Sequence, residues 1–218
     1  MLWGVTSCSV ASGQERDAGL WLAAEGEIEI SSRLATILNG EVRMHENMAE
    51  VGTWLAEAGV EYSLSQAWRF GLYYRFRGNQ QLDRTYNYRH RYYVNVRYRN
   101  RQGKHDWVAR VRLQQQFRHE ELFTDRGAED RTYIRPKLAY RYRLSRTWRP
   151  FVAAELYHPV SLNGIHLVDK MRFSAGTRYR INRVHAITLY YMVQHEVNVR
   201  NPGTDFILGI GYEFSPDW

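Results

Sequence analysis

The sequence contains very little cysteine and proline, and it has no long apolar segment. Its single cysteine, Cys8, excludes a disulfide within the chain and any zinc site built from several cysteines. Only five prolines are present. No apolar run approaches the roughly 18 residues of a transmembrane helix, and the mean hydropathy is −0.57. These values are typical of a soluble protein, but they test only for membrane spans made of helices.

Sequence motifs of hydrolytic enzymes are absent as well. The chain has no H-E-x-x-H and no G-x-S-x-G, which would indicate a catalytic zinc or a nucleophilic serine. His119, Glu120, Glu121 and Asp125 could meet a divalent cation, but a run of solvated charges is the simpler interpretation. We therefore expect no catalytic activity, no metal and no cofactor.

The chain is basic and rich in tyrosine. It has 30 Lys and Arg against 23 Asp and Glu, a formal net charge of +7, and it has 16 tyrosines. Such a balance suits a nucleic acid, an anionic membrane surface or an acidic ligand. Interleaved Arg and Tyr can bind RNA, but an RNA-binding protein rarely needs the repeated pattern described next, so we expect no nucleic-acid partner.

The segment RHRYYVNVRYRN, residues 89–100, shows the pattern that dominates the chain. Tyr92, Val94 and Val96 alternate with arginines and other polar residues, and successive side chains of a strand point to opposite faces. One face is therefore cationic and the other apolar. About eleven runs of this kind follow one another from Gly19 onward. Each has roughly 10 residues, the length that a tilted strand needs to cross a bilayer.

The connections between the runs alternate between short and long, as they do in an outer-membrane barrel. Short turns are predicted at Ser32-Arg33, 65–67, 100–105, 145–147 and Asn182-Arg183, and longer loops at 46–52, 78–85, 119–130, 158–169 and 197–204. The predicted fold is all-β, a single transmembrane up-and-down antiparallel β-barrel of about 12 strands (10–12), with short periplasmic turns and longer extracellular loops.

Large aromatic residues on the apolar face of the strands lie at one level, beside the short turns. A soluble sandwich or barrel would point its apolar face inward, but its large aromatics need not share one height. A ring of Trp and Tyr at one level is typical of the membrane interface. The predicted girdle consists of Tyr62, Trp68, Tyr98, Trp107, Tyr142, Trp148 and Tyr179. We therefore expect the apolar face to meet lipid and the arginines to face a wet lumen, with a soluble β-barrel as the alternative.

Charges of opposite sign on the lumen face are segregated along the chain. The predicted acidic wall comprises Glu25, Glu27, Glu29, Glu41, Glu57 and Glu61. The predicted basic cluster comprises Arg69, Arg97, Arg99, Arg110, Arg112, Arg141, Arg143, Arg149, Arg178 and Arg180. Closing the barrel sets one wall against the other, which favours a salt-bridged and largely occluded lumen. A narrow anion-favouring pore and a pocket for an anionic ligand remain as alternatives.

The first 13 residues, MLWGVTSCSVASG, have two competing interpretations. They resemble the end of a secretory signal that lacks its basic start, and the residues before Cys8 loosely fit a lipoprotein cleavage box. Alternatively, part of residues 2–12 forms a twelfth strand, because bacterial barrels usually have an even strand number. A ten-stranded or a true eleven-stranded barrel is also possible. Residues 14–218 are assigned to the barrel as one domain.

Several segments carry a resemblance to a known family: DAGLWLAAEGEIEI, YYRFR, YRHRYYVNVRYR, RPFVAAELYHP, MRFSAGTRYRIN and ILGIGYEF. Over residues 17–214 the chain resembles the DUF2490 family of bacterial outer-membrane β-barrels, common in Bacteroidetes-type bacteria. The resemblance implies an outer-membrane barrel. It implies no functional residues, because the family has no settled function.

The expected role is a non-enzymatic structural or assembly component of the outer membrane. Membrane lipids are the expected partners. The segment GIGYEF also resembles the C-terminal strand signal that barrel-assembly machinery reads, and other outer-membrane proteins are possible partners. The rival hypotheses are a small porin-like pore that favours anions and, less favoured, an outer-membrane hydrolase or acyltransferase.

Overall fold

The computed structural model describes residues 16–45, 48–81, 85–118, 131–161, 164–165, 167–199 and 201–216. Its strands are β1 (Arg16–Glu29), β2 (Leu34–His45), β3 (Glu50–Ser63), β4 (Trp68–Gln80), β5 (Tyr86–Gln102), β6 (His105–Arg118), β7 (Arg131–Tyr142), β8 (Trp148–Ser161), β9 (Gly164–Ile165), β10 (Lys170–Arg180), β11 (His185–Glu196) and β12 (Thr204–Phe214). None of the described segments is a helix long and apolar enough to span a membrane.

Eleven long strands close into a barrel. Strands β1 to β8 and β10 to β12 follow one another around the sheet, each antiparallel to the next, and β10 pairs with β8. The two-residue β9 pairs only with the end of β8. Strands β1 and β12 close the ring by parallel pairing, from Arg16 opposite Thr204 to Gly26 opposite Phe214. Parallel closure follows from the odd strand number, since the first and last of eleven alternating strands run in the same direction.

The preferred count of twelve strands is not confirmed. Eleven lies within the predicted range of 10–12, and β1 pairs directly with β12 over 11 positions, so the closed ring holds no further strand between them. The predicted twelfth strand, within residues 2–12, lies outside the described residues. The alternative reading of residues 1–13 as a signal remnant lies there too and stays a prediction.

The eleven long strands exceed the roughly ten residues expected, at 11 to 17 residues each. They extend into segments predicted as loops. Gly78, Asn79 and Gln80 belong to the polar segment 78–85 that is predicted as a loop, but they continue the ladder of β4 opposite residues 86–88 of β5. Cross-strand pairing therefore continues past the predicted end of the strand, so that β4 ends at Gln80 and β5 begins at Tyr86.

Four of the short turns contain the same pattern of side-chain to backbone hydrogen bonds. Ser31, Ser65, Ser145 and Asn182 each accept hydrogen bonds from the backbone N–H groups two and three residues ahead, at distances of 2.8–3.4 Å. Such side chains replace a missing backbone partner and favour tight turns. The remaining short turn uses Gly103, whose φ of 58° favours glycine.

Apolar side chains lie outside the barrel and charged side chains inside it, the reverse of the arrangement in a soluble protein. Outward apolar residues are exposed, for example Leu72 at 62%, Phe173 at 54% and Leu138 at 52%. Most buried residues lie on the inner face, and many of them are polar or aromatic, such as Tyr93 at 2% and Arg135 at 4%. The period-two pattern thus separates an apolar exterior from a charged interior.

Candidate functional site in the barrel lumen

The lumen contains a cavity of about 180 Å³ between walls of opposite charge. Its lining comprises Glu25, Glu27, Ile37, Glu57, Glu61, Tyr73, Tyr93, Asn95, Arg97, Arg110 and Arg112. Strands β1 and β3 supply the carboxylates, while β5 and β6 supply the guanidinium groups. The closed sheet therefore brings part of the predicted acidic wall and part of the predicted basic cluster to one space.

Glu61 is the most highly connected carboxylate of the acidic wall. It accepts a hydrogen bond from Tyr73, a 2.7 Å hydrogen bond from Arg69 Nη1 and a 3.2 Å hydrogen bond from Arg97 Nη2. Arg69 Nη1 also lies 2.8 Å from Glu27 Oε1, although β1 and β4 are separated by two strands. These contacts join β1, β3, β4 and β5, which lie on one side of the ring.

Glu155 on β8 is the main acceptor on the opposite wall, and it was not included in the predicted acidic wall. Its Oε1 lies 2.5 Å from Arg110 Nη2 and 2.9 Å from Arg135 Nη2. Glu155 and Arg135 are both buried, at 6% and 4% exposure. Its inward parity is readable in the sequence, but its partners become evident only when β6, β7 and β8 are placed side by side.

Shorter-range contacts hold other predicted lumen residues. Neighbouring ion pairs are Arg75–Glu57 at 2.5 Å, Arg43–Glu41 at 2.5 Å, Arg99–Asp106 and Arg178–Glu213 at 2.7 Å. Arg112 donates a 2.9 Å hydrogen bond to the neutral Asn95. Among the described residues, six predicted lumen residues show no side-chain hydrogen bond or ion pair: Glu25, Glu29, Arg141, Arg143, Arg149 and Arg180.

Aromatic rings alternate with guanidinium groups near the loop end of the lumen. Arg43 stacks over Trp21 at 3.7 Å, Arg172 lies over both Trp21 (5.3 Å) and Tyr157 (4.9 Å), and Arg135 stacks over Tyr157 at 4.0 Å. We call these five residues the aromatic–arginine layer. Cation–π contacts of this kind strengthen when they are shielded from water. The layer joins strands β1, β2, β7, β8 and β10 across the interior.

A tyrosine stack lies deeper in the lumen, and glycine makes room for it. The rings of Tyr73 and Tyr93 are 4.7 Å apart with an interplanar angle of 13°. A Cβ at Gly71 would lie 2.5 Å from Tyr73 Cε2, and one at Gly59 would lie 2.6 Å from Cε1. The ring of Tyr73 can therefore lie flat against the wall only because both positions lack a side chain. Arg112 covers the Tyr93 ring at 3.7 Å.

The seven residues of the predicted girdle lie on the apolar, outward parity beside the short turns. Three tryptophans pair across strands with a tyrosine: Trp68 with Tyr98 at 4.9 Å, Trp107 with Tyr140 at 4.7 Å and Trp148 with Tyr179 at 4.8 Å. Tyr62 is 42% exposed, and Tyr142 contacts His105 with ring centroids 5.4 Å apart. Tyr140 was not predicted as a member, because its pairing with Trp107 depends on the register between β6 and β7.

A second aromatic group on β3 to β6 lies near the loop end and was missed by sequence reasoning. Its members are Trp54, Tyr74, Phe76, Tyr86, Tyr88, His90, Tyr92 and Phe117, with successive ring centroids 5.0–6.4 Å apart. Tyr88 and Tyr98 are ten residues apart on β5, about 33 Å of strand. A tilt of about 40° reduces this to a height of about 25 Å, close to the apolar band of membrane barrels.

Comparison with solved structures shows a similar fold. The chain is 13% identical to a structure described as a bacterial polysaccharide outer membrane secretin, with a TM-score of 0.54, covering 82% of this chain and 63% of that one. The chain thus spans less than two thirds of that protein.

Two autotransporter barrels are more distant. The β-domain of the Bordetella autotransporter BrkA gives a TM-score of 0.47 at 11% identity, covering 82% of each chain. The translocator domain of NalP from Neisseria meningitidis gives 0.44 at 11% identity, covering 81% of this chain and 72% of that one.

The sequence comparison identifies a family. No curated protein matches the chain. The model of the family described as "Protein of unknown function (DUF2490)" matches residues 18–204. Because this match covers most of the chain, the chain belongs to the DUF2490 family.

Proposed function

We propose that the protein is an integral outer-membrane β-barrel without catalytic activity, whose lumen is closed by its own side chains. In this proposal the short turns are periplasmic and the longer loops extracellular. The barrel acts as a structural or assembly component of the outer membrane, with membrane lipids and the barrel-assembly machinery as its partners. The observation that carries the proposal is the inverted barrel, with an apolar exterior and a charged interior.

The membrane location is supported by the exterior. Apolar side chains from all eleven barrel strands would be left in water if the barrel were soluble, for example Leu113 at 47% and Leu189 at 47% exposure. Large contiguous apolar surfaces are rare on soluble monomers. Two aromatic groups about 25 Å apart in height match the two interfaces of a bilayer. Closure of the sheet also leaves no unpaired strand edge to face hydrocarbon.

The closed lumen is supported by contacts between non-neighbouring strands. Arg69 reaches Glu27 from β4 to β1, and Arg172 reaches Trp21 from β10 to β1. The tyrosine stack and the aromatic–arginine layer lie at two levels of the interior. Charged groups in a partly desolvated lumen are stable only when they are paired and hydrogen-bonded, so these contacts favour a fixed plug over a water-filled channel.

The second candidate function is a narrow anion-favouring pore. It is favoured by the arginines that carry no carboxylate partner, such as Arg141 and Arg149. Rings of arginine are typical of anion-selective pores. Planar-bilayer recording of the purified protein separates the two functions, because a closed plug gives no stable current steps.

The recording needs a variant that opens the plug and a matched control. Combining Arg43→Ala, Arg135→Ala and Arg172→Ala removes three members of the aromatic–arginine layer, and we expect this variant to conduct. The control combines Arg143→Ala and Arg180→Ala, which remove guanidinium groups without a side-chain partner in the described structure. Baseline current for the native protein and the control supports the plug. Stable anion-selective steps from the native protein would replace it with the pore.

A further inference from the structure

Four arginines occupy adjacent positions on the inner face of β4 and β5. Arg75 lies directly opposite Arg91, and Arg77 lies directly opposite Arg89. We call these four residues the arginine block. Like charges placed directly opposite one another in a sheet are destabilising, so this block requires neutralisation from elsewhere. Glu57 pairs with Arg75 at 2.5 Å, Arg89 has partners of its own, and among the described residues no carboxylate pairs with Arg77 or Arg91.

Arg77 and Arg91 are both held by neutral acceptors. Arg77 Nε donates a 2.5 Å hydrogen bond to Asn79 Oδ1, and Arg77 Nη2 lies 3.5 Å from the Thr53 hydroxyl. Arg91 donates to Gln116 Oε1, with Nε at 3.2 Å. Amide oxygens orient a guanidinium group but do not neutralise its charge. Both arginines are half-buried and still touch solvent.

A fifth guanidinium group faces the block from the other side of the lumen. Arg172 on β10 donates a 2.7 Å hydrogen bond to Gln194 Oε1, again a neutral acceptor, and β10 lies across the closed ring from β4 and β5. Gln194 in turn donates to Asp205 Oδ2 at 2.5 Å. Among the described residues, the inward carboxylates Glu41 and Glu155 are already engaged, Glu41 by Arg43 and Glu155 by Arg110 and Arg135.

We infer that the loop-side half of the lumen is a binding site for a phosphate-type oxyanion, held by Arg77, Arg91 and Arg172. Guanidinium forks match the geometry of phosphate oxygens and make charge-assisted hydrogen bonds to them. A tetrahedral oxyanion presents acceptors in several directions, as donors from β4, β5 and β10 require, whereas a carboxylate presents only two oxygens in one plane. The Asn79, Gln116 and Gln194 amides hold the three guanidinium groups in place for the ligand.

The phosphate could come from two sources, free inorganic phosphate or the headgroup of a lipid reaching over the loop-side rim. The inference rests on the inward arginines of the barrel and not on the lumen being closed. Conductance recording therefore tests the closed lumen, and phosphate titration tests the anion site, so that either proposal can fail while the other holds.

The test is calorimetric titration of the full-length protein with inorganic phosphate, in nonionic detergent and phosphate-free buffer. We expect saturable binding of one phosphate per chain. Arg77→Gln and Arg91→Gln should each weaken it at least 10-fold, because glutamine keeps a hydrogen-bond donor but loses the charge. Arg180→Gln is the matched control, since its side chain has no partner in the described structure, and it should bind as the native protein does.

Thermal unfolding with and without phosphate gives a second readout, in which phosphate raises the melting temperature of the native protein but not of Arg77→Gln.

A second arm tests the lipid source, with phosphatidylcholine vesicles that do or do not contain phosphatidic acid. Binding of phosphatidic acid but not of inorganic phosphate, lost in Arg77→Gln and Arg91→Gln, supports the headgroup as the source. Absence of saturable binding in both arms overturns the site. Equal weakening in Arg180→Gln and Arg77→Gln also overturns it, because the effect would then reflect net charge alone. Both block variants should fold, since each removes a like-charge contact.

Discussion

Placing an arginine on the outer face tests the environment of that face, and Leu138 is a suitable position. Leu138 is 52% exposed on β7, between the small residues Ala109 and Ala154 on the neighbouring strands. It lies four residues from Tyr142 of the girdle, about 13 Å along the strand. This places it well inside the apolar band if the girdle marks the membrane interface.

Leu138→Arg should destabilise the barrel in a bilayer by about 2–4 kcal/mol, the cost of an arginine near the membrane midplane. This corresponds to a roughly 30- to 900-fold smaller folding equilibrium constant. Leu144→Arg is the matched control, since Leu144 is 62% exposed beyond the girdle and should cost about 0–1 kcal/mol. The assay is urea-dependent folding into phospholipid vesicles. Changes within about 0.5 kcal/mol for both variants, as on the surface of a soluble protein, would refute the reasoning.

Three further predictions concern the interior and the exterior aromatics. Glu155→Gln leaves Arg110 and Arg135 without their shared carboxylate, so chemical denaturation should show a loss of about 3–5 kcal/mol; Asp106→Asn, at the more exposed pair with Arg99, should cost at most about 1 kcal/mol. Gly71→Ala displaces the Tyr73 ring and should cost about 1–3 kcal/mol, whereas Gly40→Ala, with nothing within 4 Å, should not destabilise; equal effects would argue against the tyrosine stack. Trp107→Ala removes the 4.7 Å contact with Tyr140 and should weaken folding into vesicles more than folding into detergent, as measured by gel shift.

The strand pattern could be predicted from the sequence because each strand has one apolar and one charged face. The alternation at residues 89–100 fixes which side chains share a face, and Tyr93 and Val94 lie on opposite faces as expected. The level of the girdle was also predictable, since Trp68, Trp107 and Trp148 each follow a short turn. These features depend only on local order along the chain.

Contacts across the lumen could not be predicted, because they depend on strand number, register and curvature together. Arg110 was expected to meet the acidic wall, but it pairs with Glu155 on the same side of the barrel. Arg69 reaches Glu27 and Glu61 from a neighbouring part of the wall. Glu25 belongs to the same wall, yet the described structure gives it no ion pair. The sequence predicts on which face of its strand each charged side chain lies. Which charges form ion pairs depends on how the closed barrel places the strands relative to one another.

The parallel closure of the barrel was likewise beyond the sequence. Both β1 and β12 show alternation, and neither carries a signal for the identity or direction of its partner. The preference for an even strand number led to twelve, whereas β1 and β12 pair directly in the same direction. The number of strands in the barrel therefore depends on how the sheet closes, and the individual strand sequences do not specify it.

The central claim is that the apolar face of each strand meets lipid, and spin labels on β5 in a bilayer test it most directly. In a Cys8→Ser background, Val94→Cys, Asn95→Cys, Val96→Cys and Arg97→Cys each accept one label. Collision rates with oxygen, which concentrates in lipid, should be high at positions 94 and 96 and low at 95 and 97. The opposite alternation, or equal rates at all four positions, would contradict the account.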